Sequence, residues 1–94
     1  MSAVNLIARI PCPVENLTAV QQLLEEYGAH VRTMDGAERF EVYRAQDDDF
    51  VRVLERYRDQ QAFAEHMADP ANKVLNDRLG ELTPTGSALT FLRA

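Results

Sequence analysis

The chain has no tryptophan, one cysteine, one lysine and two histidines. Each shortage closes off a class of function. Cys12 has no second cysteine to bridge to, so an internal disulfide is excluded. Cys12, His30 and His66 together are too few for a Cys/His zinc cage. Ten basic residues stand against fifteen acidic ones, for a net charge of −5, and the basic ones are scattered. A nucleic-acid grip needs clustered Lys/Arg to displace phosphate counterions, so that class is set aside. No apolar run approaches the ~20 residues of a membrane-spanning helix. Val4–Ile10 is apolar but short, and Asn5 and Arg9 interrupt it, unlike the core of a signal peptide. The expectation is a cytoplasmic protein with no membrane partner and no bound metal.

What remains is an ordinary globular composition, 46% hydrophobic and 27% charged, over 94 residues. That length predicts one domain, residues 1–94. A domain this small buries only ~60–65% of its unfolded surface. A deep pocket would compete with its core, and dimerisation would relieve the shortage.

Val4, Leu6, Ala8 and Ile10 alternate with Asn5, Ile7 and Arg9, the pattern of a strand that Pro11 and Pro13 end. Leu17, Val20, Leu24, Tyr27, Val31 and Met34 recur at helical spacing. They predict a helix capped by Asn16, running through Gly28 to about Met34, with Gly36 as its C′ residue. Phe40–Ala45 and Phe50–Tyr57 predict a hairpin around an acidic turn, Gln46–Asp49. The Asp47–Asp49 run lacks calcium-loop spacing and reads as a solvated turn. Asp59 caps a helix over Gln60–Ala68, and Asp69-Pro70 starts another that buries Val74, Leu75 and Leu79 and ends at Gly80. Ala88–Leu92 is the last strand.

The order β-α-β-β-α-β predicts an α+β, ferredoxin-like fold: a four-stranded antiparallel sheet with its helices on one face. The other face would carry Ile7, Phe50, Leu54, Leu89 and Phe91 among Asn5, Arg9, Arg52 and Arg56. Apolar residues among charges on an uncovered face predict a two-fold homodimer packed sheet to sheet.

Period two places Glu55 and Tyr57 beside Val51 and Val53 on one face of the third strand. A carboxylate and a phenol on an apolar face indicate a pocket, and the following helix can bring His66 to it. His66 is the candidate acid/base by residue type, since an imidazole titrates near neutrality. The plainer alternative, a packed histidine with a local hydrogen bond, stands level with it. Glu55 is the candidate that orients His66 or accepts a proton; the alternative is an ion pair with Arg44 or Arg9. Tyr57 and Tyr43 are candidate substrate donors, against core tyrosines with wet hydroxyls. Phe63 and Met67 are candidate pocket walls, against simple core packing. Asn5 is a candidate carbonyl ligand, against a place on the dimer face. His30 falls between buried positions and is expected to be exposed.

Gly36–Arg44, Phe50–Tyr57, Ala62–Met67 and Asp69-Pro70, in that order and spacing, resemble the antibiotic biosynthesis monooxygenase family. The resemblance covers nearly the whole chain. It implies a dimeric α/β barrel, a small aromatic substrate such as a quinol or polyketide, molecular oxygen as oxidant, and no cofactor. The family also holds haem-degrading enzymes and members without assigned activity. This chain lacks the tryptophan that several active branches carry in the pocket, and Ala71, Asn72 and Lys73 stand where many members have a second histidine. Residues 72–79 contain no histidine to serve as a haem ligand. A non-catalytic barrel that binds a small ligand or serves assembly is therefore kept as the alternative.

Overall fold

The computed structural model describes residues 2–47, 49–84 and 86–93. The elements are β1 (Val4–Pro11), a 3₁₀ turn (Val14–Asn16), α1 (Leu17–Val31), β2 (Ala37–Arg44), β3 (Phe50–Tyr57), α2 (Gln60–Ala68), α3 (Pro70–Leu82) and β4 (Ala88–Leu92). The strands form one sheet in the order β2-β3-β1-β4, and every pairing is antiparallel. This is the ferredoxin-like βαββαβ arrangement that the element order predicts.

The hairpin pairing sets Glu55 opposite Phe40, and the central pairing sets it opposite Leu6. Alternation then puts Leu6, Ala8, Ile10, Val51, Val53 and Tyr57 on the helix side, where all are buried. Leu17, Val20, Leu24, Tyr27 and Val31 of α1 cover them from above. Burying this layer is the main driving force of the fold.

Several boundaries differ from expectation. Helix α1 stops at Val31 rather than Met34, with Arg32 capping it by a backbone bond to Gly28. Gly36 does take a positive φ, +84°, but it serves the turn into β2 instead of the helix end. A side chain there would also meet the Ala62 methyl at 2.6 Å. Asn16 makes no cap bond; its amide donates across the molecule to the Leu82 carbonyl at 3.0 Å, tying α1 to the end of α3. Gly28 sits within α1 because Phe40 packs where its Cβ would be, 2.8 Å from Phe40 Cδ1. Strand β2 begins at Ala37, three residues before Phe40, and a register irregularity lies between Ala37 and Arg39. Helix α3 passes through Gly80 to Leu82, and Val74 is exposed on it. Asp59 and Asp69 do cap α2 and α3, accepting from the amides of Ala62 and Ala71. In the hairpin turn, Asp48 lies outside the described residues.

The largest departure concerns β4. Leu89 pairs with Ala8 and Phe91 with Leu6, so both lie on the helix side of the sheet, not on the open face. Phe91 meets Phe63 edge-on at 5.6 Å. A one-residue change of register reverses every side chain of a strand, and the loop before β4 leaves that register unread in the sequence. The open face holds Asn5, Ile7, Arg9, Arg52, Leu54 and Arg56 from the central strands.

Candidate active site

Between the sheet and the helices lies a cavity of about 200 Å³. Its wall is mostly apolar, with Leu6, Ala8, Phe40, Phe63, Leu75 and Leu89 among its members. Six polar or ionisable side chains also reach it: Glu55 from β3, His66 from α2, Tyr27 from α1, Asn72 and Asn76 from α3, and Ser87 just ahead of β4. A cavity of ~150 Å³ admits a benzene ring. This one has room for a single substituted ring.

Glu55 and His66 are buried, with 8% and 4% of their surface exposed. His66 Nε2 lies 3.6 Å from Glu55 Oε1. The Tyr57 hydroxyl donates to the same carboxylate oxygen at 2.5 Å, a length typical of a charge-assisted O–H···O⁻ bond. The Tyr57 ring stacks on the imidazole at 4.8 Å. On the far side of His66, Nδ1 is 3.4 Å from the Tyr27 hydroxyl, which accepts from Asn72 Nδ2 at 3.1 Å. Asn76 Nδ2 donates to Asn72 Oδ1 at 3.0 Å. Hydrogen bonds thus join Tyr57 to Glu55 and link His66, Tyr27, Asn72 and Asn76, and the 3.6 Å contact of His66 with Glu55 brings the two groups together.

Burial dominates the electrostatics here. It pushes the Glu55 carboxyl up, against a smaller opposing pull from the Tyr57 bond. It pushes the His66 imidazole down, partly offset by Asp69. It raises the Tyr27 phenol, and it raises that of Tyr57 further, with Glu55 adding to the effect. Burial therefore disfavours the charged form of both groups, the imidazolium of His66 and the carboxylate of Glu55.

Not every candidate reaches the cavity. Phe63 and Met67 line it. Tyr57 does not; it is fully buried behind Glu55 and His66 and acts on them, not on a bound molecule. Tyr43 lies opposite Arg52 on the open face, half exposed, and donates to Glu41. Asn5 lies opposite Arg56 on that face and accepts from its guanidinium at 3.2 Å. Neither can meet a molecule in the cavity, because strand alternation turns both away. Glu55 takes Tyr57 and His66 as partners, not Arg44 or Arg9. His30 is exposed and pairs with Asp69 at 2.8 Å.

Tyr27 and Asn72 are absent from the candidates that the sequence offers. A signal exists for both. A tyrosine in a buried stripe needs a partner for its hydroxyl. Asn72 shares helical spacing with Leu75 and Leu79, and an amide half-buried beside them needs partners too. Among the described residues no group of three or more His, Cys, Asp or Glu is placed to hold a metal ion.

Known proteins resemble this chain in sequence and fold. A curated Mycobacterium tuberculosis protein, Rv0793, provisionally named a monooxygenase, is 30% identical over 91 residues, covering 97% of this chain and 90% of that one. Its solved structure superposes with a TM-score of 0.90 at 29% identity, covering 99% of this chain and 95% of that one. SnoaB of Streptomyces nogalater, a cofactor-independent oxygenase, matches with a TM-score of 0.86, covering 100% of this chain and 94% of that one. Its identity is 18%, so that likeness is one of fold. The family model of the antibiotic biosynthesis monooxygenases matches residues 3–78, the span that carries β1 to β3, Glu55, His66, Tyr27 and Asn72. With that match extending over most of the chain, the protein belongs to the antibiotic biosynthesis monooxygenase family.

Proposed function

We propose that the protein is a cofactor-independent monooxygenase acting on a small quinol-like or polyketide-like aromatic. The observation that carries this reading is the convergence of Glu55 and His66, both buried, on a mostly apolar cavity with room for a single substituted ring. Oxygen is a triplet and reacts slowly with closed-shell organics. An electron-rich anion overcomes this by passing one electron to it. A protein that removes a phenolic proton in a dry, oriented pocket supplies what that step requires. For a hydroquinone, one oxygen atom enters the ring as a hydroxyl and the other leaves as water. The substrate is oxidised to the hydroxyquinone and supplies all the electrons.

The proton acceptor comes from the Glu55–His66 pair. Phe63 and Met67 form the wall against which the ring packs. The unit of function is a cytoplasmic homodimer of single-domain protomers, residues 1–94, joined through the open sheet face. Ile7 and Leu54, half-buried on that face among Arg9 and Arg56, support this pairing.

The test is oxygen uptake by metal-free and flavin-free protein with a panel of single-ring and two-ring quinols. Turnover is expected, and His66→Ala and Glu55→Gln are each expected to slow it, by about 10²–10⁴-fold for whichever group transfers the proton. No uptake across the panel, or uptake untouched by either substitution, would defeat the reading. A second reading has its own support: the missing tryptophan and the lack of a second histidine in the segment Ala71, Asn72 and Lys73 fit a non-catalytic barrel that binds a small apolar ligand. Saturable binding of a quinol without oxygen uptake would establish that one.

A further inference from the structure

We propose that Glu55, not His66, takes the substrate's proton, and that Tyr27, set by Asn72, is a positioning residue that holds His66 as a donor to Glu55. This assignment deepens the monooxygenase reading and rests on it. It follows from the direction of the hydrogen bonds.

The direction is set at the outer end. Asn76 is exposed, and its amide nitrogen donates to Asn72 Oδ1. That turns the Asn72 amide nitrogen toward Tyr27, to which it donates at 3.1 Å. The Tyr27 oxygen is thereby an acceptor from Asn72, and His66 Nδ1, 3.4 Å away, is the partner within reach for its own hydrogen; that hydrogen is assigned to Nδ1. An imidazole whose Nδ1 accepts carries its hydrogen on Nε2 when neutral. Nε2 is the atom that faces Glu55 Oε1. From the other side Tyr57 donates to that same oxygen. The Tyr57 hydroxyl is thus hydrogen-bonded to the carboxylate, and the Nε2 hydrogen of His66 faces it at 3.6 Å, a contact that a bound molecule would have to shorten into a hydrogen bond.

The consequence is a division of labour. His66 in this state has no free lone pair: Nδ1 is taken by Tyr27, and Nε2 carries the hydrogen. A histidine so held cannot accept a proton from a bound phenol. A carboxylate accepts at up to about four positions, and the chain engages Oε1 alone. Leu6 and Phe40, opposite Glu55 on the neighbouring strands, bring no cation to it. The groups on it from β3 and α2 are the Tyr57 hydroxyl and the His66 imidazole. In the step itself the substrate O–H bond breaks, a carboxyl O–H bond forms on Glu55, and the electron pair stays on the substrate oxygen. His66 and Tyr57 hold the carboxylate in place and neither gains nor loses a proton.

The ring nitrogens of His66 report this directly. Long-range ¹H–¹⁵N spectra of labelled, substrate-free protein at neutral pH should show His66 protonated at Nε2 and bare at Nδ1. The opposite tautomer would overturn the proposal. Tyr27→Phe and Asn72→Leu should each convert that pattern to a tautomer mixture and leave the His30 signals in place. An unchanged His66 pattern in both variants would remove Tyr27 from its positioning role. In oxygen uptake, Glu55→Gln should lower kcat by about 100-fold or more, and His66→Gln and Tyr27→Phe by about tenfold. A greater loss from His66→Gln than from Glu55→Gln would return the base role to His66. Wild-type protein without turnover would defeat the oxygenase reading and the base role together. The ring spectra need no substrate, so they still decide the role of Tyr27 in that event.

Discussion

The two faces of β1 and β3 are built from the same sixteen residues and solve opposite problems. On the helix side, polar groups are few, buried and joined to one another: Glu55 and Tyr57 share a hydrogen bond, and His66 closes on them from α2. On the open side, polar groups are many and paired across short distances, Arg56 with Glu38 at 2.8 Å and Arg39 with Glu41 at 2.8 Å on the hairpin. Buried polar groups in a low-dielectric setting act strongly on one another, and each loses much when its partner goes. Exposed ion pairs are screened and contribute about 0–1 kcal/mol. The comparison teaches that in this protein the polar groups that depend most on one another are the scarce, buried ones. The charge-rich face is suited to association.

The contrast can be broken by substitution on either face. The largest effect is expected from Phe40→Ala, which empties a buried site edge-on to Tyr27 and should cost about 3–5 kcal/mol in urea unfolding. Leu54→Glu on the open face should leave the protomer folded and instead shift sedimentation from dimer to monomer at micromolar concentration. A wild-type monomer at that concentration would remove the association half of the comparison.

A smaller difference is expected between two tyrosines. Tyr57→Phe strips Glu55 of its short hydrogen bond inside the protein and should cost about 1–3 kcal/mol. Tyr43→Phe removes a bond to Glu41 that is open to water and should fall within about 0.5 kcal/mol. Equal costs would show that the inner chain is not distinct in energy from the outer pairs.

The smallest effect is one of pH. Burial lowers the His66 pKa in the folded state, so below its ordinary value near 6.5 the unfolded chain takes the proton first. The stability that the neutral ring contributes is present above that pH and is lost as pH falls through the folded value. Glu55 runs the other way: its folded pKa is raised, so its contribution is present below the ordinary carboxylate range and lost as pH rises through the folded value. Urea midpoints measured between pH 5 and pH 7.5 should therefore fall toward acid more steeply in wild type than in His66→Gln. They should fall less steeply in wild type than in Glu55→Gln. Parallel curves for all three proteins would show that burial does not set these protonation states.

Much of the architecture is legible in the sequence. Period two in Phe50–Tyr57 puts Glu55 and Tyr57 on one face with Val51 and Val53, and helical spacing from Leu17 to Val31 marks the cover above them. Asp-initiated helices after Tyr57 and Ala68 complete the element order. The site is only half legible. Tyr27 is concealed by its own fitness for a core stripe, and Asn72 by lying 45 residues away on another helix. Tyr43 is misplaced by periodicity because alternation within β2 says nothing of which face β3 presents to it. Leu89 and Phe91 are misplaced for the same reason on the opposite edge of the sheet.

By itself, then, the sequence determined what is local: which segments are strands or helices, which residues share a side, and which chemical types are present at all. Tertiary structure alone decided which sides meet. Pairing register and helix placement bring Tyr27, Glu55, His66 and Asn72 together from four elements. Local periodicity is encoded over a few residues, whereas register depends on the packing of the whole layer at once. The hydrogen bonds of Tyr27 with His66 and Asn72, and of Tyr57 with Glu55, exist only after that packing is complete.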